Sequence, residues 1–126
     1  MAAVTLNISI DQGADWKDTL ILYQPAPANT PVENMEVMNL TGYTARMQIR
    51  ASHTNENVIA ELTSVNGGLT ITPLLGKIDR HLTATKTQTI TPTNTPAVYD
   101  LELVASNGEV TRLVQGSVFI SPEVTR

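Results

Sequence analysis

The sequence predicts an all-β fold, an immunoglobulin-like antiparallel β-sandwich of about eight strands with at most one short helix. Three observations carry that expectation. Apolar and polar residues alternate with period two along most of the chain. Turn signals recur about every 8–12 residues, the spacing of a sandwich. Threonine, valine, isoleucine and leucine abound while Ala-Glu-Lys-rich helical stretches are absent, a composition that favours strands. The 126 residues fit one domain, 1–126, with a proline-rich loop at about 24–39.

The elements follow in order. In "VTLNISI" the residues Val4, Leu6, Ile8 and Ile10 share a face. "DWKDTLILY" puts Trp16, Leu20 and Leu22 on one side, with Ile21 and Tyr23 opposite, and reads as a strand covered on both faces. "QPAPANTPVENMEVMN" then leaves the sheet, because its prolines remove ladder donors. "GYTARMQIR" turns Tyr43, Ala45, Met47 and Ile49 inward, and "VIAELTS" answers it across a polar turn. Asn66-Gly67-Gly68 supplies a tight turn. Two short strands, Leu69 to Thr72 and Lys77 to Leu82, flank a turn at Leu74-Leu75-Gly76.

"TATKTQTI" is the one plausible helix, a turn or two capped by Thr83. The closing stretch is a hairpin. Tyr99, Leu101 and Leu103 alternate on one arm, Asn107-Gly108 turns, and Val110, Arg112 and Val114 alternate on the other. Gly116 is expected to permit a bulge or bend, and Pro122 to end the strand.

Composition narrows the function. The net charge of −4, with scattered basic residues, disfavours nucleic-acid binding, which needs a basic face. No apolar run approaches the roughly 20 residues that cross a bilayer as a helix, and the first ten residues alternate as a strand does. There is no cysteine, so thiol catalysis and cysteine-based metal sites are excluded. His53 and His81 lack a third partner of their kind for zinc and are expected to be exposed and chemically idle.

Asp11, Asp15 and Asp18 lack the glycine and closing glutamate of a calcium loop, and are expected in a polar turn and on a solvated strand face. Glu61 and Asp79 could pair as acid and base only in a deep cleft. Trp16 is expected as a plug between the sheets. The expectation is therefore no catalytic site, no cofactor and no metal.

Binding remains. Proline lowers the entropy lost when a loop docks, and methionine offers adaptable apolar surface. Pro25, Pro27, Val32, Met35, Val37 and Met38 are thus candidate partner contacts. The other possibility is that this loop folds back over its own sheet edge. Arg126, with its carboxylate, is a further candidate contact.

Two stretches, "LTGYTARMQIR" (Leu40 to Arg50) and "YDLELVASNGEVTRLVQGSVFISPEVTR" (Tyr99 to Arg126), resemble a family of small bacteriophage structural proteins. The "LTATKTQTI" stretch precedes the second one as in that family, and the likeness runs over most of residues 4 to 126. The first stretch is also similar to the N-terminal sandwich domain of phage baseplate upper proteins, which attaches receptor-binding parts to the tail. The chain departs from the family pattern in its long proline-rich insertion.

The resemblance implies a non-enzymatic virion protein, assembled in the bacterial host cytoplasm. It would be a tail or baseplate adaptor that links a fibre or spike to the tail, in multiple copies within a symmetric assembly. A capsid decoration protein contacting the major capsid protein is the alternative. A host-glycan-binding module ranks behind both, since glycan sites use exposed aromatics.

Overall fold

The computed structural model describes residues 3–92 and 95–125. Nine strands form among the described residues: β1 (Val4–Thr5), β2 (Ile8–Asp11), β3 (Trp16–Ile21), β4 (Thr44–Arg50), β5 (Val58–Thr63), β6 (Leu69–Thr72), β7 (Lys77–Leu82), β8 (Ala97–Val104) and β9 (Val110–Ser121). The single α-helix among them is α1 (Ala84–Gln88), entered through Thr83, whose Oγ1 accepts the Lys86 N–H at 3.2 Å. Short 3-10 turns occupy Val32–Asn34 and Pro73–Leu75.

The strands make two sheets. The larger has the order β1-β9-β8-β4-β5, with β2 also on β9; the smaller has the order β3-β7-β6. This is an all-β sandwich, and β9-β8-β4-β5 facing β3-β7-β6 is the arrangement of an immunoglobulin-like domain. Alternation locates the core as expected. Ala45, Met47 and Ile49 of β4 meet Ala60 and Leu62 of β5, and Tyr99, Leu101 and Leu103 of β8 join them, all buried.

Five expectations need correction, the last of them a solvated Asp18. The larger sheet is not purely antiparallel, because β1 and β2 run parallel to β9, with Val4 beside Val114 and Ile10 beside Ile120. Alternation marks faces and is blind to strand direction. Nor is "VTLNISI" one strand. Leu6 gives its N–H to Gln115 O at 2.8 Å, but Asn7 Oδ1 then takes the Ser117 N–H at 2.9 Å, so a side chain interrupts the ladder.

The hairpin bulge lies at Leu113 and not at Gly116. Leu101 pairs with Val114 and Glu102 with Arg112, which leaves Leu113 as the extra residue. The bulge also moves Val114 to the core face while Arg112 stays outside. Gly116 matters for a different reason. A Cβ there would collide with the Leu6 carbonyl oxygen and approach its carbon to 2.8 Å. Its bare backbone lets the chain between β1 and β2 lie close.

The end of β3 is not covered on both faces either. Ile21 is 50% exposed, since nothing packs on the outer face of the small sheet there.

Among the described residues one charged side chain, Arg80, is buried in the core, paired with Asp18. Arg80 shares its inward face with Ile78 and Leu82 and is fully buried. Its Nε and Nη2 donate to the two oxygens of Asp18 at 2.7 and 2.6 Å. Asp18, expected on a solvated face, turns inward between Trp16 and Leu20 to reach it. The guanidinium also lies 5.2 Å from the centre of the Trp16 ring and 5.4 Å from that of Tyr99.

Burial works against the charge on Arg80. Its hydrogen bonds to Asp18 and its attraction to that carboxylate outweigh burial and hold its pKa above the ordinary value. From the small sheet Arg80 reaches the larger one at Met47 Sδ, 3.8 Å away, and at the Tyr99 ring, whose hydroxyl donates to Leu6 O at 2.6 Å.

Candidate docking surface

An apolar groove opens where the two sheets part at one flank. Its walls are Val4 and Leu6 on one side and the end of β3 with Leu22 and Tyr23 on the other; Met38, Tyr43, Leu103 and Leu113 form its floor and end. The groove measures about 440 Å³. Its rim stays wet: Val4 is 62% exposed, Leu6 40% and Ile21 50%.

The cause is local. β1 is the last strand of the larger sheet and β3 the last of the smaller, and no described strand closes the gap between these two edges. The Leu113 bulge then adds one more apolar side chain at the same place.

Leu20, Ile21, Leu22 and Tyr23 follow one another and all line this groove, so it runs along the strand where its edge is free. The ladder agrees. Leu22 donates to Gly76 O at 2.7 Å and accepts from Met38 N at 2.9 Å, so its polar backbone atoms point toward β7. By alternation those of Lys17, Thr19 and Ile21 point the opposite way, off the sheet.

The proline-rich loop begins here. Its returning arm bonds back through Gln24 N to Glu36 O at 2.8 Å and Leu40 N to Pro73 O at 3.0 Å, with Tyr23 bridged to Val37. The arm therefore prolongs the small sheet beyond β7, and among the described residues no strand pairs with the outer edge of β3. Gly76 makes room for it: φ there is 59°, and a Cβ would stand 2.8 Å from Met38 O.

The candidate contacts fall into three groups. Met38 is half-buried and lines the groove. Val37 and Met35 sit on the returning arm, while Pro25, Pro27 and Val32 are exposed on the loop, Val32 by 61%. Arg126 lies outside the described residues. Sequence reasoning missed Val4, Leu6, Ile21 and Leu113 as surface. Alternation gives Val4 and Leu6 only a shared strand face and leaves Ile21 covered; the parallel pairing of β1, the bulge at Leu113 and the bare outer face at Ile21 are features that alternation does not report.

The polar candidates do not converge. Asp79 is held by Thr19 Oγ1 at 2.6 Å and sits 3.7 Å from Lys77 Nζ, while Glu61 accepts from Gln48 at 2.9 Å in the other sheet. Asp15 Oδ1 takes the Ala84 N–H at 2.6 Å, and His81 Nε2 lies 3.9 Å from it, too far for a hydrogen bond. His53 is exposed. Among the described residues no group of three or more His, Asp or Glu side chains gathers as metal ligands.

Trp16 is half-buried against the core, under the Arg80 guanidinium. A polar basin of about 500 Å³ lies on the outer face of the larger sheet, lined by Gln48, Arg50, Asp100, Arg112, Gln115 and their neighbours. Its charges are already matched in part, with Arg112 Nε 3.4 Å from Asp100.

Set against known proteins, the sequence matches no family model and no curated protein.

Proposed function

We propose that this chain is a non-enzymatic structural protein of a bacteriophage virion, an adaptor that joins a receptor-binding fibre or spike to the tail or baseplate. The apolar groove carries the reading. Branched aliphatic side chains left in water at Val4, Leu6 and Ile21 gain about 25 cal/mol for each Å² that a neighbour covers. A contiguous patch of this kind marks an interaction surface more often than a lone exposed residue does. The resemblance of the Leu40–Arg50 and Tyr99–Arg126 stretches to phage structural proteins supports the virion setting. Multiple copies in a symmetric particle would let modest contacts sum to firm attachment.

The alternative placement is the head, as a capsid decoration protein. Host-glycan recognition would fall to the polar basin, but the aromatic ring nearest it, Tyr99, is buried and offers no stacking face.

The test is direct. The protein is tagged, produced in infected cells, and the tag is located on purified particles by electron microscopy. Label on the tail tip supports the adaptor. Label on the head transfers the protein to the decoration role. Particles free of label overturn the proposal. A Val4→Asp, Ile21→Asp variant is expected to keep its melting temperature within a few degrees, since both sites are exposed. It is expected to be depleted from particles.

A further inference from the structure

We infer that the flank between β1 and β3 receives an extended segment of a partner protein as an added strand. The segment lies along the outer edge of β3, with apolar side chains at alternate positions entering the groove and a carboxylate beside Lys17. This rests on the reading of the groove as a docking surface and adds the form of its occupant.

Three features select a strand. The first is the free edge. Lys17, Thr19 and Ile21 aim their N–H and C=O groups away from β7, at a spacing of about 7 Å. A row of unpaired donors and acceptors is a template for main-chain pairing. A helix could not satisfy it.

The second is the shape of the groove. It runs along the β3 edge and is apolar, with Leu6, Leu20 and Leu22 among its lining residues. A strand on this edge points every second side chain inward. Those positions meet Leu6, Leu20 and Leu22, and the intervening ones face water. This is strand addition, in which main-chain bonds hold and alternate pockets select.

The third is charge. Lys17 is exposed on the outer face and forms no ion pair among the described residues. The carboxylates flanking it on the outer face are engaged elsewhere, Asp15 by the Ala84 N–H and Asp79 by Thr19 Oγ1 and Lys77. The outward-facing partner residue beside Lys17 is therefore acidic. A second copy pairing edge to edge through Thr19 would set Lys17 against Ile21, which leaves that charge unanswered.

The probe is a synthetic peptide of about nine residues, enough to run from Lys17 to Tyr23 at about 3.3 Å per residue. It alternates valine with threonine, and one threonine is replaced by glutamate. Binding is followed by NMR on the labelled protein, with amide hydrogen exchange read at Lys17, Thr19 and Ile21. Exchange at these three amides is expected to be fast in the free protein and to slow at least about tenfold with peptide.

Lys17→Glu is expected to weaken the glutamate peptide about two- to fivefold, the scale of an exposed ion pair. The same variant is expected to bind a lysine-bearing peptide better than the glutamate one. That exchange of preference does not depend on any loss of folding. No binding at millimolar peptide overturns the inference. So does binding that leaves the three amides unprotected, which would mean docking by side chains alone. Slow exchange without peptide in a protein of dimeric mass would show that a second copy covers the edge, and would overturn it too. None of these results bears on whether the tagged protein is found in particles, so the two proposals fail separately.

Discussion

Removing the Asp18 carboxylate tests what balances the Arg80 charge between the two sheets. In Asp18→Ala the Arg80 guanidinium keeps its place, fully buried, but loses both of its short bonds, at 2.7 and 2.6 Å. What remains is Met47 Sδ at 3.8 Å and two ring faces, at 5.2 and 5.4 Å. Those ring contacts return at most about 2 kcal/mol. Breaking a buried pair on one side costs about 3–5 kcal/mol. The Asp18 side chain is 32% exposed, so water reaches the vacated site and the lower end applies, about 3 kcal/mol.

With a urea dependence of about 2 kcal/mol per molar, the unfolding midpoint falls by about 1.5 M. Circular dichroism follows the transition, with Trp16 fluorescence as a second probe. Replacing both partners, as Asp18→Leu with Arg80→Met, removes the stranded charge and is expected to recover most of the loss. The direction of the Arg80 pKa fixes the pH behaviour. A raised pKa means that this contribution is complete below the group's ordinary pKa and fades only as pH climbs past the folded one, in strong alkali. Arg80 therefore adds no pH dependence between about pH 6 and 9. A loss under about 1 kcal/mol for Asp18→Ala, or a double variant no better than the single, would refute the reasoning.

Two further changes probe the join between the chain's first strands and β9. Gly116→Ala places a methyl against the Leu6 carbonyl, and is expected to cost about 1–3 kcal/mol in thermal unfolding and to speed amide exchange at Leu6. An unchanged melting temperature would show that the close approach is not needed. Tyr99→Phe removes the 2.6 Å bond to Leu6 O and is expected to cost about 1 kcal/mol by urea titration, with the fold intact.

Much of the sandwich was legible because alternation over a half-buried strand is a strong signal. β6, β7 and the β8–β9 hairpin fall where "LTIT", "KIDRHL" and the Asn107-Gly108 turn put them, and β4 occupies "GYTARMQIR" from Thr44 on. The helix cap at Thr83 was legible for the same kind of local reason. What escaped depends on contacts between distant segments. A period of two does not say whether Val4 and Ile10 run with or against β9. It also does not foresee that one extra residue, Leu113, reverses the parity of half a strand.

Asp18 is the instructive case. Its parity with Trp16 and Leu20 already pointed inward, and only its polarity argued for water. The partner that resolves the conflict, Arg80, is 62 positions away. The groove escaped because alternation reports which face a side chain takes. It does not report whether the opposite sheet extends far enough to cover it. Met38 alone among the expected contacts lines the groove, and its neighbours in the loop stand outside it.

The most direct test is a cryo-electron microscopy map of assembled particles at side-chain resolution. If the protein works by docking through this flank, density from a neighbouring chain lies along the outer edge of β3 and fills the space between Leu6 and Leu22. A map in which that groove faces open solvent, with the copies held by other surfaces, contradicts it.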